Sequence, residues 1–317
     1  MLIFDAHCDI LSKINSEEEL FNNNHHWDAE RALALGPFIQ VFSAFNEIFP
    51  RNIAGVNMKK QIQMALSIEA KYPDRFKIIR SKDDLDKCIM ECSRQKVYGI
   101  LEAEGAEILG GSLEEFERLY FLGLRILTLC WNYDNDICDS VAGENPHNGL
   151  SEFGKKVIDK ADSLGVLIDV SHASDKTFED VLSMTKRPVT ASHSNARALC
   201  SHNRNLTDRQ IKAIARSGGV IGINFYSFFL ENSGNAHILD IIRHIEYIAS
   251  LVGTEYIGFG ADFDGIEVMP SEMNGVESMY DIINELLRLN YPEDDVKAIA
   301  GGNFVRLMGQ FLPSLHS

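Results

Sequence analysis

Short apolar runs rich in β-branched residues alternate with amphipathic stretches from one end of the chain to the other. The runs are Leu2–Cys8, Phe38–Phe45, Val97–Ala103, Arg125–Cys130, Val166–Val170, Val189–Ser192, Val220–Phe225 and Ile257–Gly260. Such runs suit strands covered on both faces, which is the condition of a parallel sheet. Between them, Phe153, Val157, Ile158, Ala161 and Leu164 follow helical spacing, with Ser151 as an N-cap and Gly165 beyond the C-terminus. Ile238, Ile241, Ile242, Ile245, Ile248, Ala249 and Val252 form a second stripe ended near Gly253, and Thr207 with Ile211, Ile214, Ala215 and Gly218 a third. Eight strands alternating with helices over 317 residues predict a (β/α)8 TIM-type barrel spanning 1–317 as one domain. A dinucleotide-binding sheet would want a glycine-rich turn after its first strand, where His7-Cys8-Asp9 stands instead.

In a barrel the C-terminal ends of the strands converge on one mouth. The runs there end in His7 and Asp9, Glu104, His172 and His193, and Asp262 follows the last run in GADFDG. Three imidazoles and two carboxylates suit zinc or a similar divalent ion. If Glu104 bridges, one ion takes His7 and Asp9, and the other His172 and His193; two such ions would share a hydroxide. Asp262 is then free to accept its proton and pass it to a leaving amine. Glu102 shares a strand face with Glu104 and is the alternative ligand, but Glu104 stands nearer the strand end. Asp5, Asp169 and Asp264 read as orienting or turn-capping carboxylates, and Cys8 as a buried neighbour. His25, His26, His147, His202, His237, His244 and His316 read as surface residues.

The net charge of −16 argues against nucleic acid or an anionic membrane as a partner, since both demand basic surface. The six cysteines form no CxxC pair, and the N-terminal MLIFDAHCDI has no basic region before its apolar start. A cytoplasmic location is expected. The irregular stretches Asn132–Leu150 and Gly265–Gly275 follow strands and should shape the substrate pocket.

The segments DAHCD (5–9), AEGAE (103–107), GLRILTLCWN (123–132), NGLSEFGKKVI (148–158), LIDVSHAS (167–174), ASHSNARAL (191–199), NRNLTD (203–208), INFY (223–226), GADFDG (260–265) and GGNFVRLM (301–308) together resemble the membrane (renal) dipeptidase family of the amidohydrolase superfamily. The resemblance implies a zinc-dependent dipeptidase with two Zn2+ per chain, acting on L-Xaa-L-Xaa or L-Xaa-D-Xaa dipeptides and forming a homodimer. It assigns His7, Asp9 and Glu104 to one ion and Glu104, His172 and His193 to the other. It gives Arg204 the substrate's C-terminal carboxylate, Asp262 the proton and the free amine, and Tyr226 a supporting contact to the carboxylate. Two positions depart from the family pattern. Trp131 replaces a histidine that contacts the substrate carbonyl, and Gly105-Ala106-Glu107 replaces Gly-Gly-His. Tryptophan donates one N–H but carries no proton. The alternatives are hydrolysis of another small amide, such as an N-acyl amino acid or cyclic amide, and a metal-binding homolog without catalysis.

Overall fold

The computed structural model describes residues 1–47 and 51–314; His316 lies outside them. Among the described residues nine parallel strands are present: β1 Ile3–Cys8, β2 Phe38–Ala44, β3 Phe76–Ile78, β4 Val97–Glu104, β5 Leu124–Thr128, β6 Leu167–Asp169, β7 Val189–Thr190, β8 Ile221–Ile223 and β9 Ile257–Phe259. Eight form one path in the order β7-β6-β5-β4-β2-β1-β9-β8. The ends of the path meet where Ala191 bridges Ile221. Ala191 N–H donates to Val220 O at 3.3 Å, and Gly222 N–H to Ala191 O at 2.9 Å. The result is the expected (β/α)8 barrel, with helices between the strands.

The ninth strand, β3, pairs only with the start of β4, Phe76 opposite Val97 and Ile78 opposite Gly99. β5 takes over as β4's neighbour from Leu101 onward. Several expected strands are also shorter in the structure. Val166, Val170, Val220 and Phe225 are buried but lie outside β6 and β8.

Helix ends follow the sequence signals. Ser151 Oγ accepts from Gly154 N–H at 2.9 Å, and Gly165 closes that helix in the left-handed conformation. Thr207 and Gln210 form a reciprocal capping box.

Two register features decide which side chains enter the lumen. Between β1 and β2, Asp5 pairs with Gln40 and Cys8 with Phe42, so β1 carries one extra residue. A bulge of this kind shifts the alternation by one. Without it His7 would share the outward phase of Asp5; with it His7 points inward. Across β4, β5, β6 and β7 the register aligns Glu104, Thr128, Asp169 and Thr190 in one layer. Where the barrel closes, the backbone of β7's extension comes very close to β8 and the end of β9. A Cβ on Gly222 or Gly260 would stand 1.8 or 1.7 Å from Ser192 O.

Candidate metal centre

Glu104 ends β4, and His172, His193 and Asp262 each lie three residues past the end of β6, β7 and β9. His172 (φ 66°) and Asp262 (φ 63°) adopt left-handed backbone conformations uncommon for such residues. Such conformations persist where surrounding structure over-determines them, and they cluster at functional sites.

The side chains converge on Glu104. Its Oε1 lies 3.1 Å from His172 Nε2 and 3.6 Å from His193 Nε2. Its Oε2 lies 3.6 Å from His7 Nε2. His7 Nε2 is in turn 3.5 Å from Asp9 Oδ2 and 3.9 Å from Asp262 Oδ1. Ligand atoms of His7, Glu104 and His193, and separately of His7, Asp9 and Asp262, lie within 4.8 Å of one another.

The other imidazole nitrogens are all engaged. His7 Nδ1 lies 2.8 Å from Glu102 Oε2, His172 Nδ1 2.9 Å from Asn132 Oδ1, and His193 Nδ1 2.6 Å from Ser192 Oγ. Acceptors at Nδ1 fix the tautomer that turns the Nε2 lone pair toward the centre.

Buried polar atoms normally have a partner, yet His7 Nε2 and Asp9 Oδ1 have none. The Nε2 atoms of His172 and His193 face each other at 3.1 Å. A cation accounts for such converging donor atoms, and the imidazole and carboxylate set fits a divalent one.

Electrostatics divide the cluster. Burial, followed by the positive charges of Arg204 and His7, holds His172 well below the usual imidazole range. Burial, His7 and Arg204 do the same to His193. At His7, burial opposes the charge, but the carboxylates of Glu102, Glu104 and Asp9 outweigh it and raise the imidazole well above its ordinary range. Burial pushes Glu104 up to about 8 against the pull of His7. It raises Asp262 to about 7, again against His7, with Asp9 adding to the rise. Asn224 Nδ2 donates to Asp262 Oδ2 at 2.8 Å.

The buried Arg204 guanidinium stands close by. Nη2 reaches His193 O at 3.2 Å, Nη1 reaches Ser194 Oγ at 3.5 Å, and Nε has no partner. Tyr226 is half-buried after β8, facing Glu267 and Asp262. The Trp131 ring packs 5.0 Å from Phe45, 5.5 Å from Tyr133 and 6.2 Å from His172. All nine singled-out residues therefore cluster around the barrel mouth or just below it.

Glu102 is turned away from the cluster: Oε2 meets His7 Nδ1, and Oε1 meets Thr128 Oγ1 at 2.6 Å. Asp5 accepts from Ala261 N–H and Gln40 Nε2, and Asp264 from the N–H groups of His26 and Trp27. Cys8 is buried 3.9 Å from Asp264. His244 corrects the expectation of a surface residue. It is fully buried, accepts from Ala196 N–H at Nδ1 and contacts Leu230 O at Nε2. Asn132, Asn224, Thr128 and Ser192 escaped the sequence reading, because amides and hydroxyls at strand ends carry no ligand signal.

The membrane dipeptidase (peptidase family M19) family model matches residues 1–312. The chain belongs to this family. Among relatives of the membrane dipeptidase family, dipeptidase aclJ of Aspergillus oryzae is 33% identical over 217 residues, 68% of this chain and 51% of that protein. The chain thus spans about half the length of that relative. Among solved structures, the metallopeptidase dipeptidase AC of family M19 superposes with a TM-score of 0.90 at 26% identity, covering 99% of both chains. A metallopeptidase from Rhodobacter sphaeroides, bound to a phosphinate mimic of the dipeptide L-Ala-D-Ala, shares the fold at a TM-score of 0.89 and 24% identity, covering 98% and 99%. No helix among the described residues is long and apolar enough to cross a membrane.

Proposed function

We propose that this chain is a metal-dependent dipeptidase. The observation that carries the reading is the set of lone-pair atoms converging on Glu104, with His7 Nε2 and Asp9 Oδ1 lacking any protein partner. His7, Asp9 and Glu104 would hold one divalent ion and Glu104, His172 and His193 a second, both zinc by the family resemblance. When bound, the ions supply a water acidified to near neutrality and polarise the scissile carbonyl.

The chain's own residues supply the rest. Arg204 is buried, loosely engaged and left with a free Nε–H, so its planar fork suits the C-terminal carboxylate of a dipeptide. Asp262 titrates near neutrality. It can take the proton of the attacking water, return it to the leaving amine and receive the substrate's free ammonium. Asn224 holds one Asp262 oxygen, leaving the other toward His7. Fixing both termini limits the substrate to two residues; that these are of L,L or L,D configuration is what the family resemblance implies. Tyr226 and Trp131 line the approach.

The test is amine release from L,L- and L,D-dipeptides by zinc-reconstituted protein, beside a chelated control. Metal-dependent release is expected. A protein with two ions bound that cleaves no dipeptide in a broad panel would sink the reading.

A further inference from the structure

Beneath the metal centre an unbroken line of buried polar side chains runs from His7 to His193. His7 Nδ1 meets Glu102 Oε2 at 2.8 Å, and Glu102 Oε1 meets Thr128 Oγ1 at 2.6 Å. Thr128 Oγ1 also meets Asp169 Oδ2 at 2.6 Å. Asp169 Oδ2 accepts from Ser192 Oγ at 2.5 Å, and Ser192 Oγ meets His193 Nδ1 at 2.6 Å. All six residues are buried to 1% exposure or less.

The line follows from the strand register. Thr128 stands beside Glu104 on β4 and Asp169 on β6, on the face that also carries Glu102. Its hydroxyl carries one proton and two lone pairs, so it donates to one carboxylate and accepts from the other when that one is protonated. Among the described residues it is the group within hydrogen-bond distance of both. Asp169 is pinned further by the N–H groups of Ser171 and Ser192 at Oδ1. His172 is held separately, by Asn132 on the loop after β5.

We infer that Thr128 is a positioning residue joining the two halves of the metal centre. Through Glu102 it orients His7, and through Asp169 and Ser192 it orients His193, so the affinity for both ions depends on one hydroxyl. The inference rests on the metal-centre reading above. Removing a partner that orients a ligand typically lowers metal affinity about 10–100-fold. A residue serving only one ligand should weaken one ion; Thr128 should weaken two.

The experiment titrates metal-depleted protein with Zn2+ against a chromogenic chelator, with no substrate present. Wild type should bind two ions. Thr128→Val, which keeps shape but removes the hydroxyl, should weaken both by about 10-fold, and Thr128→Ser should restore both. That is the low end of the range for a direct partner, because Thr128 acts through Glu102 and through Asp169 and Ser192. Asn132→Ala should weaken one only. Should Thr128→Val fail to fold, by thermal unfolding of the metal-free protein, Thr128→Cys offers a weak donor of similar size and should weaken both ions in parallel. Unchanged affinity in the folded Thr128 variants, loss at one site only, or failure of serine to restore would overturn the inference. A wild type that takes up no divalent ion would remove the metal centre itself, a separate result.

Discussion

Ion uptake by the metal-free protein should be coupled to proton release, and the coupling should come from the centre's carboxylates and His7 rather than from His172 and His193. Carboxylate and imidazole bind a cation only after losing their protons. Glu104 with a pKa of about 8 is about nine-tenths protonated at pH 7. His7 is raised well above its ordinary range by Glu102, Glu104 and Asp9 against burial. His172 and His193 are held neutral and have none to lose. Filling both positions at pH 7 should therefore release protons, about one of them from Glu104, and the overall binding constant should rise with pH from 6 to 7. Calorimetric titration with zinc in two buffers of different ionisation enthalpy counts the protons directly. Glu104→Gln should release about one fewer, whatever its loss of affinity. Release of less than about half a proton, or an affinity flat across this range, would refute the assignment of these charges.

The same shifts set the stability of the metal-free protein. Glu104 holds its proton more tightly folded than unfolded, from 4.5 to about 8. Stability should therefore fall as pH rises across that window, by on the order of a few kcal/mol, and thermal unfolding of Glu104→Gln should show a flatter profile. Arg204→Ala should lower kcat/KM for dipeptides about 10²–10³-fold, the scale of removing one member of a buried charge pair. Arg204→Lys should recover little, because an ammonium lacks the planar fork; equal turnover by the lysine variant would argue against a bidentate carboxylate contact. Gly222→Ala would set a methyl 1.8 Å from Ser192 O. It should push the Ser192–His193 backbone aside, costing about 1–3 kcal/mol, read as a lower Tm together with weaker ion binding.

The barrel was legible because its strands are covered on both faces, so each reads as a short apolar run. β3 was not: its three residues include a half-buried lysine, Lys77, and lie among charged neighbours. The metal-type residues were legible as strand endings, although His172, His193 and Asp262 stand three residues past the hydrogen-bonded strands. What the sequence concealed was direction. Period-two alternation gives His7 the phase of Asp5, and only the extra residue in β1 turns it inward. Alternation also left Glu102 and Glu104 equivalent. The three-dimensional neighbours separate them, since Thr128 and His7 occupy both oxygens of Glu102. His244 shows the converse error: a polar residue in a helix stripe looks exposed until two backbone groups are found to need it.

The departure at Trp131 gains meaning from its neighbour. Asn132 holds His172 Nδ1 at 2.9 Å, so the loop after β5 carries a support of the centre as well as the rim of the approach. That loop is braced from within. Asp134 accepts from the N–H groups of Ser140, Glu144 and Asn145, and Asp139 from those of His147 and Gly149. Asn135 Nδ2 donates to Leu129 O at 2.8 Å, and Ser140 Oγ to Trp131 O at 2.7 Å. A loop whose carboxylates satisfy this much backbone resists rearrangement. The Trp131 ring, packed against Phe45 and Tyr133, adds a wall to that frame. Replacing it therefore reaches His172 through Asn132 as well as through any substrate contact, and a loss of rate at this position alone cannot be assigned to a missing proton donor. Ion affinity measured alongside turnover separates the two: a displaced Asn132 weakens the His172 ion, whereas a lost substrate contact leaves it unchanged.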